Sequence, residues 1–420
     1  AVGFSLGGEY RRETAMYRQD PLVSSGYTFY NAIPDFTPPS FEVKEAFGEV
    51  NVPLLRDLPF AKELTLSGAG RVSDYKGAAG TVWTYSVNAV YAPINDLRFR
   101  ANYSRAVRAP NLTELYSPLG QNFAPSFGDP CSARNIASGT QFRAANCAAA
   151  GIPANYDYNY AQSLEIMSGG NTQLNVEKSD SYTYGAQLIP SFAPGRSVSV
   201  EYYNIKVNNV ITAPSAQAIA NSCYDSPTTA NQFCALFQRV APGQTGPNGE
   251  DPYRIIEGSL QQVQLNYARL QVRGIDVDLS YQHRFGGMNL TSHLVYTHQL
   301  QNDSFLDPTQ PGFADRTLGE VGYPRDQVNW NLGANFETFF ANLQMRYLTK
   351  MSVGAIENLV SFQGRPPQNL DQYDIPFYPD VFYMDLKFGV NVTKQTNFYF
   401  GIDNVTDRIP PLGATGTAAG

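Results

Sequence analysis

DLRFRANYSRAVRAPNLTELYSP, residues 96–118, decides the fold class of this chain. Leu97, Phe99, Ala101 and Tyr103 alternate with Arg98, Arg100, Asn102 and Ser104. A period of two puts the two sets on opposite faces of one strand. After Arg108 the alternation ends at Pro110 and a long polar loop opens. A strand that is apolar on one face and carries arginines on the other has two possible settings. In a soluble sheet the apolar face covers a core. In an outer-membrane barrel it meets lipid while the arginines face a wet lumen.

The same alternation recurs near residues 1–12, 43–55, 60–75, 81–93, 95–107, 177–191, 195–213, 262–285, 287–301, 327–338, 339–350, 378–393 and 395–406. Residues 328–336 set Val328, Trp330, Leu332, Ala334 and Phe336 against Asn329, Asn331, Gly333 and Asn335. The connections also alternate. Tight ones near 56–59, 94, 192–194, 286, 338/339 and 394 take turns with those at 13–42, 76–80, 108–176, 214–261, 302–326 and 351–377. One end of the sheet therefore carries turns and the other carries loops, the asymmetry of short periplasmic turns and long extracellular loops. The expectation is an all-β chain forming part of an antiparallel transmembrane β-barrel, with a soluble β-sandwich as the alternative. Tyr91, Tyr202, Tyr203, Tyr281, Tyr296, Phe336, Tyr347, Phe398 and Phe400 recur at strand ends, where interfacial girdles belong, although β-propensity enriches aromatics too.

Composition agrees. The 420 residues include 27 Tyr and 25 Phe, and only 16% are charged. No run approaches the ~18 apolar residues of a membrane helix, but a barrel strand needs only ~9–11 with half of them apolar. A net charge of −7 argues against nucleic acid as a partner. Cys131/Cys147 and Cys223/Cys234 form two close pairs in the long-loop set, with no histidine beside them. Local disulfides in an oxidising compartment are one reading and free thiols the other.

SRAVRAPNLTELYSP at 104–118 resembles a barrel segment of TonB-dependent outer-membrane receptors, and NFYFGIDNVTDRIPP at 397–411 resembles their near-C-terminal segment. There Asn404, Val405, Thr406 and Asp407 stand for an N-L-F-D motif, with Thr406 in place of the usual aromatic. LQVRGIDVDLSY at 270–281 and VEYYNIKVNNVI at 200–211 also read like strands of that family. The resemblance implies a barrel of about 22 strands closed by an N-terminal plug domain. These thirteen strands would be its ninth to twenty-first, and the tail GATGTAAG is loop-like. The plug, its TonB-contacting box, about eight early strands and the closing strand are then expected outside this chain, which is predicted to be a portion of a larger polypeptide.

By the same resemblance the whole protein would be a monomeric, non-enzymatic uptake receptor for a siderophore, cobalamin, saccharide or peptide, drawing on TonB through the plug. A passive porin or surface adhesin is the alternative, and no cofactor is implied. Arg98, Arg100, Glu201, Asp276, Asp278, Arg346, Asp385, Lys387 and Asp403 lie on the polar sides of their strands and are expected to face the lumen. Arg105, Arg108, Pro110, Asn111, Glu114, Asn404 and Asp407 belong to the family-like segments, and Glu114 is placed to pair with an arginine. In the longest loop NYDYNY, Asn155, Tyr156, Asp157, Tyr158, Asn159 and Tyr160, offers aromatic faces between polar groups, suited to an organic solute such as an oligosaccharide. Packing of those tyrosines within the loop is the competing reading. Asp371, Tyr373, Asp374 and Asp380 form an oxygen-rich stretch that matches no calcium-loop spacing. His283, His293 and His298 lack metal-ligand spacing, and no catalytic motif is present.

Overall fold

Thirteen strands pair in strict chain order in the computed structural model, which describes residues 1–28, 34–308, 310–393 and 395–411. They are β1 (Gly3–Glu13), β2 (Phe41–Leu58), β3 (Ala61–Tyr75), β4 (Gly80–Ile94), β5 (Leu97–Arg108), β6 (Glu177–Leu188), β7 (Arg196–Thr212), β8 (Leu265–Phe285), β9 (Met288–Phe305), β10 (Asp326–Asn335), β11 (Phe339–Leu348), β12 (Val381–Asn391) and β13 (Asn397–Ile402). Each is antiparallel to the next, and a two-residue strand at Asp315–Arg316 adds to β9. The connections alternate in length as expected from the sequence, except that the one between β3 and β4, residues 76–79, is as short as the turns at the other end. The turn expected at residue 394 and the tail GATGTAAG lie outside the described residues.

Register turns the alternation of each strand into two continuous faces. One row runs Tyr91, Phe99, Ala186, Val200, Val277, Tyr296, Val328, Tyr347 and Phe382 across nine strands. The adjoining row on the other face runs Arg100, Gly185, Glu201, Asp276, Thr297 and Gln327. None of the described residues packs behind the apolar face: Val87 is 56% exposed and Tyr184 53%. A soluble sandwich would bury such a surface in its core, and one this extensive is stable only against lipid. The sandwich alternative is thereby excluded.

Aromatic residues bound the apolar band. Phe60, Phe192, Phe285, Phe339 and Phe398 lie at the short-turn end, and Tyr103, Tyr182, Tyr202, Tyr296 and Tyr347 toward the long-loop end. From Phe339 to Tyr347 the strand rises ~27 Å, or ~20 Å of height at a ~40° tilt, close to the ~25 Å apolar band of such barrels. Tyr203 departs from the expectation. It follows Tyr202 directly, so it turns to the polar face opposite Gly274. Tight glycines bring ring and backbone together there, with Phe47 covering Gly7 and Phe340 covering Gly389.

The long connections differ from the free loops implied by their composition. Residues 109–176 and 213–264 fold together into one lobe with its own buried core. Leu164, Ile166, Ile219, Ile255 and Leu260 lie at its centre. Strands Gly120–Pro125 and Leu260–Val263 flank Ser163–Gly169, the former antiparallel and the latter parallel. Helix Ala216–Asp225 starts at Ser215, whose side chain accepts from Ala218 N, and packs Ile219, Ala220 and Cys223 inward. Disulfides Cys131–Cys147 and Cys223–Cys234 close short segments of this lobe. Closures of 16 and 11 residues are worth about 3 kcal/mol each in the chain-entropy account.

Candidate solute-capture site

Two ion pairs hold the lobe together from within. Asp129, fully buried, accepts from Arg239 Nη1 and Nη2 at 2.7 Å each, from Tyr156 Oη at 3.0 Å and from Cys131 N at 2.9 Å. Burial works against the Arg239 charge, but the hydrogen bonds and charge of Asp129 outweigh it and raise the Arg239 pKa. Arg143 grips Asp225 through Nε at 2.8 Å and Nη2 at 2.5 Å, joining segment 109–176 to segment 213–264. Sequence reasoning missed all four residues. Each is an unremarkable charge in an irregular segment, and only folding brings the partners together across 110 and 82 residues.

The NYDYNY segment is split by its own alternation. Tyr160 is 6% exposed and meets Phe127 and Tyr158 edge to face, while Tyr156 packs edge to face on Tyr253. Burial, with the nearby Asp129 charge, pushes the Tyr156 and Tyr160 hydroxyls up. These tyrosines pack into or against the lobe core, which is the competing reading of the segment. Asn155, Asp157 and Asn159 remain at the surface, with Asp157 paired to Arg134 at 2.6 Å.

The lobe is rooted where β5 and β6 leave the sheet. Arg108 spans Glu177, at 2.6 and 2.8 Å, and Glu114, at 3.0 and 3.1 Å. Glu114 also closes a capping box with Asn111 on the short helix Leu112–Tyr116, and Pro110 is fully buried beside it. Glu177 accepts from Ile211 N at 2.8 Å, which ties both lobe roots to one carboxylate. Arg105 points to the opposite face and holds Asp180 at 2.9 and 3.0 Å.

Below the lobe the polar face is a lattice of paired charges. Arg98 meets Glu63 at 3.0 Å, Arg346 meets Asp385 at 2.8 Å, and His293 Nε2 meets Asp278 at 2.7 Å. Arg100 pairs with Glu201, Asp276 accepts from Thr297 at 2.7 Å, and Lys387 lies 4.0 Å above the Tyr399 ring. An open cleft of about 1010 Å³ follows this face toward the short turns, lined in part by His293, Asn331, Gln344, Asp385, Lys387 and Asp403. Asn404 donates its backbone N–H to Asp385 at 2.8 Å and caps its own turn by accepting from Arg408 N. Asn404 and Asp407 both have positive φ, at 53° and 47°, so the family-like motif forms a tight turn.

His298 lies on the apolar side and pairs with Asp326 at 2.6 Å near the long-loop end, whereas His283 stacks with Tyr281 near the short turns. Asp380 accepts from Lys350 N at 2.6 Å, and Asp371 and Asp374 are exposed. Among the described residues no three His, Cys, Asp or Glu side chains converge as metal ligands.

A thirteen-stranded meander with an apolar outer face, a charged inner face and a folded lobe at one end is matched by one family, described as TonB dependent receptor-like, beta-barrel, over residues 1–405. The chain belongs to that family. Among solved structures, the siderophore receptor PirA from Acinetobacter baumannii is 13% identical, with a TM-score of 0.59 over 97% of this chain and 48% of its own. The ferric enterobactin receptor PfeA from Pseudomonas aeruginosa is 16% identical, with a TM-score of 0.59 over 97% and 46%. The copper transporter OprC is 14% identical, with a TM-score of 0.51 over 100% and 52%. The chain thus spans about half the length of these TonB-dependent barrels, and the likeness is one of fold. No curated protein matches it in sequence. Members of the family are outer-membrane transporters of Gram-negative bacteria rather than enzymes, so the apolar face meets lipid and the lobe is extracellular.

Proposed function

We propose that the chain forms most of the wall and the capture lobe of a TonB-dependent active-uptake receptor for a scarce solute of the siderophore, cobalamin, saccharide or peptide class. One observation carries this reading. The two longest extracellular connections form a single cross-linked lobe, rooted by Arg108, Glu177 and Glu114 at the mouth of the charged face. Such a lobe holds a preformed polar surface over the lumen and lowers the ordering cost of capture. Asn155, Asp157 and Asn159 are its exposed ligand candidates. The polar-face charges, Arg98, Arg100, Glu201, Asp276, Asp278, Arg346, Asp385, Lys387 and Asp403, line the path below. A plug domain and TonB would supply gating and energy.

The test is solute uptake by cells carrying the full-length protein, using ferric siderophores, cobalamin and labelled oligosaccharides or peptides. The expected result is saturable uptake of one class that stops when a protonophore collapses the proton gradient. Non-saturable, protonophore-insensitive flux of many solutes would overturn the reading in favour of a passive pore.

A further inference from the structure

The capture lobe has no free cation to offer an anionic solute. Segments 109–176 and 213–264 hold four arginines, no lysine and eight carboxylates. Each arginine is tied to a carboxylate of the lobe itself. Arg134 holds Asp157, Arg143 holds Asp225 and Arg239 holds Asp129. Arg254 meets Glu257 at 3.1 Å, with its guanidinium 3.9 Å over the Tyr158 ring. Glu165 and Asp251 are left with no cation at ion-pair distance among the described residues. The wall below shows a similar imbalance. Arg98, Arg100 and Arg346 are paired, while Glu49 and Asp276 face the lumen with no cation partner among the described residues.

One face of the lobe sets a free carboxylate among apolar side chains. In its three-stranded sheet Leu164, Ile166 and Leu260 point into the core, so the residues between them point out. Phe123 lies directly opposite Glu165, and a neighbouring row on the same face is Gln121, Met167 and Gln261. Phe123 is 43% exposed. Gln121 Nε2 donates to Glu165 at 3.1 Å and holds the carboxylate beside the ring. Phe123 N is bonded to the Asn122 side chain at 2.8 Å, which leaves no donor there for an added strand. Recognition on this face falls to side chains. A ring next to an unpaired carboxylate attracts a cation in two ways, by charge and by its negative π face.

We infer that the sheet face of Phe123, Glu165, Gln121, Met167 and Gln261 binds a solute carrying an ammonium or guanidinium group beside an apolar body, and that anionic solutes are rejected. Charge complementarity selects this occupant. An anion would meet uncompensated like charge on the lobe and again on the wall, whereas a cation is concentrated along that acidic path. The inference rests on the uptake reading above and narrows its solute class.

The test is equilibrium binding of two charge series to the full-length protein purified in a non-ionic detergent. One series is a ferric trihydroxamate with a free terminal amine, its N-acetyl form and its N-succinyl form. The other is an end-capped phenylalanine–lysine peptide with its lysine free, acetylated or succinylated, so the two series distinguish a siderophore from a peptide source. The expected result in one series is saturable binding of the cationic form, about tenfold tighter than the neutral form, as one charged hydrogen bond supplies. The succinylated form should show no saturable binding. Glu165→Gln should abolish the tenfold preference, and Glu165→Lys should turn it toward the succinylated form. A purely structural Glu165 would weaken all forms alike. Phe123→Leu should lower the cationic preference about threefold, and Asp371→Asn, in a different loop, should change nothing. Hydrogen exchange in peptides from 127–166 verifies that the lobe of each variant is folded. Equal binding of the cationic and succinylated forms, preference for the succinylated form, or no saturable binding of either cationic form overturns the inference. Saturable, protonophore-sensitive uptake of an anionic solute would also overturn it while leaving the uptake reading intact; non-saturable flux strikes that reading instead.

Discussion

Replacing Asp129 with Asn tests whether the extracellular lobe is a folded unit held by its buried charges. The substitution keeps the shape of the side chain but removes the charge that two Arg239 nitrogens reach at 2.7 Å. The Arg239 side chain is only 11% exposed and Asp129 is fully buried, so the guanidinium would be left desolvated. Breaking such a pair from one side costs about 3–5 kcal/mol, and Tyr156 and Cys131 N lose their charged acceptor as well. At ~1.4 kcal/mol per decade, local opening should become roughly a hundredfold or more easier. Hydrogen exchange read by mass spectrometry on peptides from 127–166 and 216–260 measures this directly. Protection in β3 and β9 should not change, since the wall's backbone pairing is independent of the lobe. Removing both partners, as Asp129→Asn/Arg239→Met, should recover much of the loss, because no charge is then stranded. Lobe protection in Asp129→Asn within about threefold of the parent protein would mean that this pair does not hold the lobe together.

Two further outcomes follow from the same geometry. Leu279→Arg puts a cation on the lipid face near mid-wall, opposite Leu294 and Val198, and should cost about 2–4 kcal/mol, whereas Ser280→Arg on the polar face should be nearly neutral; denaturant unfolding in detergent or vesicles compares them. Burial pushes the Glu250 carboxyl up, but hydrogen bonds from Asn248 and from backbone N–H groups, including that of Glu257, prevail and hold it at about 2. A depressed carboxylate stabilises the fold above its unfolded value, near 4.5, and that stabilisation fades as pH falls toward about 2. Cleavage by an acid-active protease within 240–257 should therefore rise between those limits, and Glu250→Gln should flatten the dependence.

The wall was legible in the sequence because lipid and lumen impose a period of two along the strands, broken locally at register shifts such as those at Pro53/Leu55 and Tyr91/Ile94. Leu97 to Ser104 show it, and residues 328–336 show it again. The alternation of short and long connections added topology, since antiparallel neighbours must turn at alternate ends. The lobe was not legible in this way. Its strands are short and one pairs in parallel, and its helix Ala216–Asp225 is a single short element inside a loop. NYDYNY shows the difference: its alternation was visible, but the face that would be buried depended on a core assembled from two distant segments.

Side-chain period and connection length are local properties, so a membrane barrel wall with one loop-bearing end can be read from the residues alone. The residues also mark the four cysteines as neighbours in pairs. Which charges meet depends on how distant segments fold together: Arg239 with Asp129, Arg143 with Asp225, and Arg108 with both Glu177 and Glu114. Faces are settled in the same way. Tyr203 follows Tyr202 directly, and pairing opposite Gly274 sets it on the polar side, because a face is a property of rows across strands.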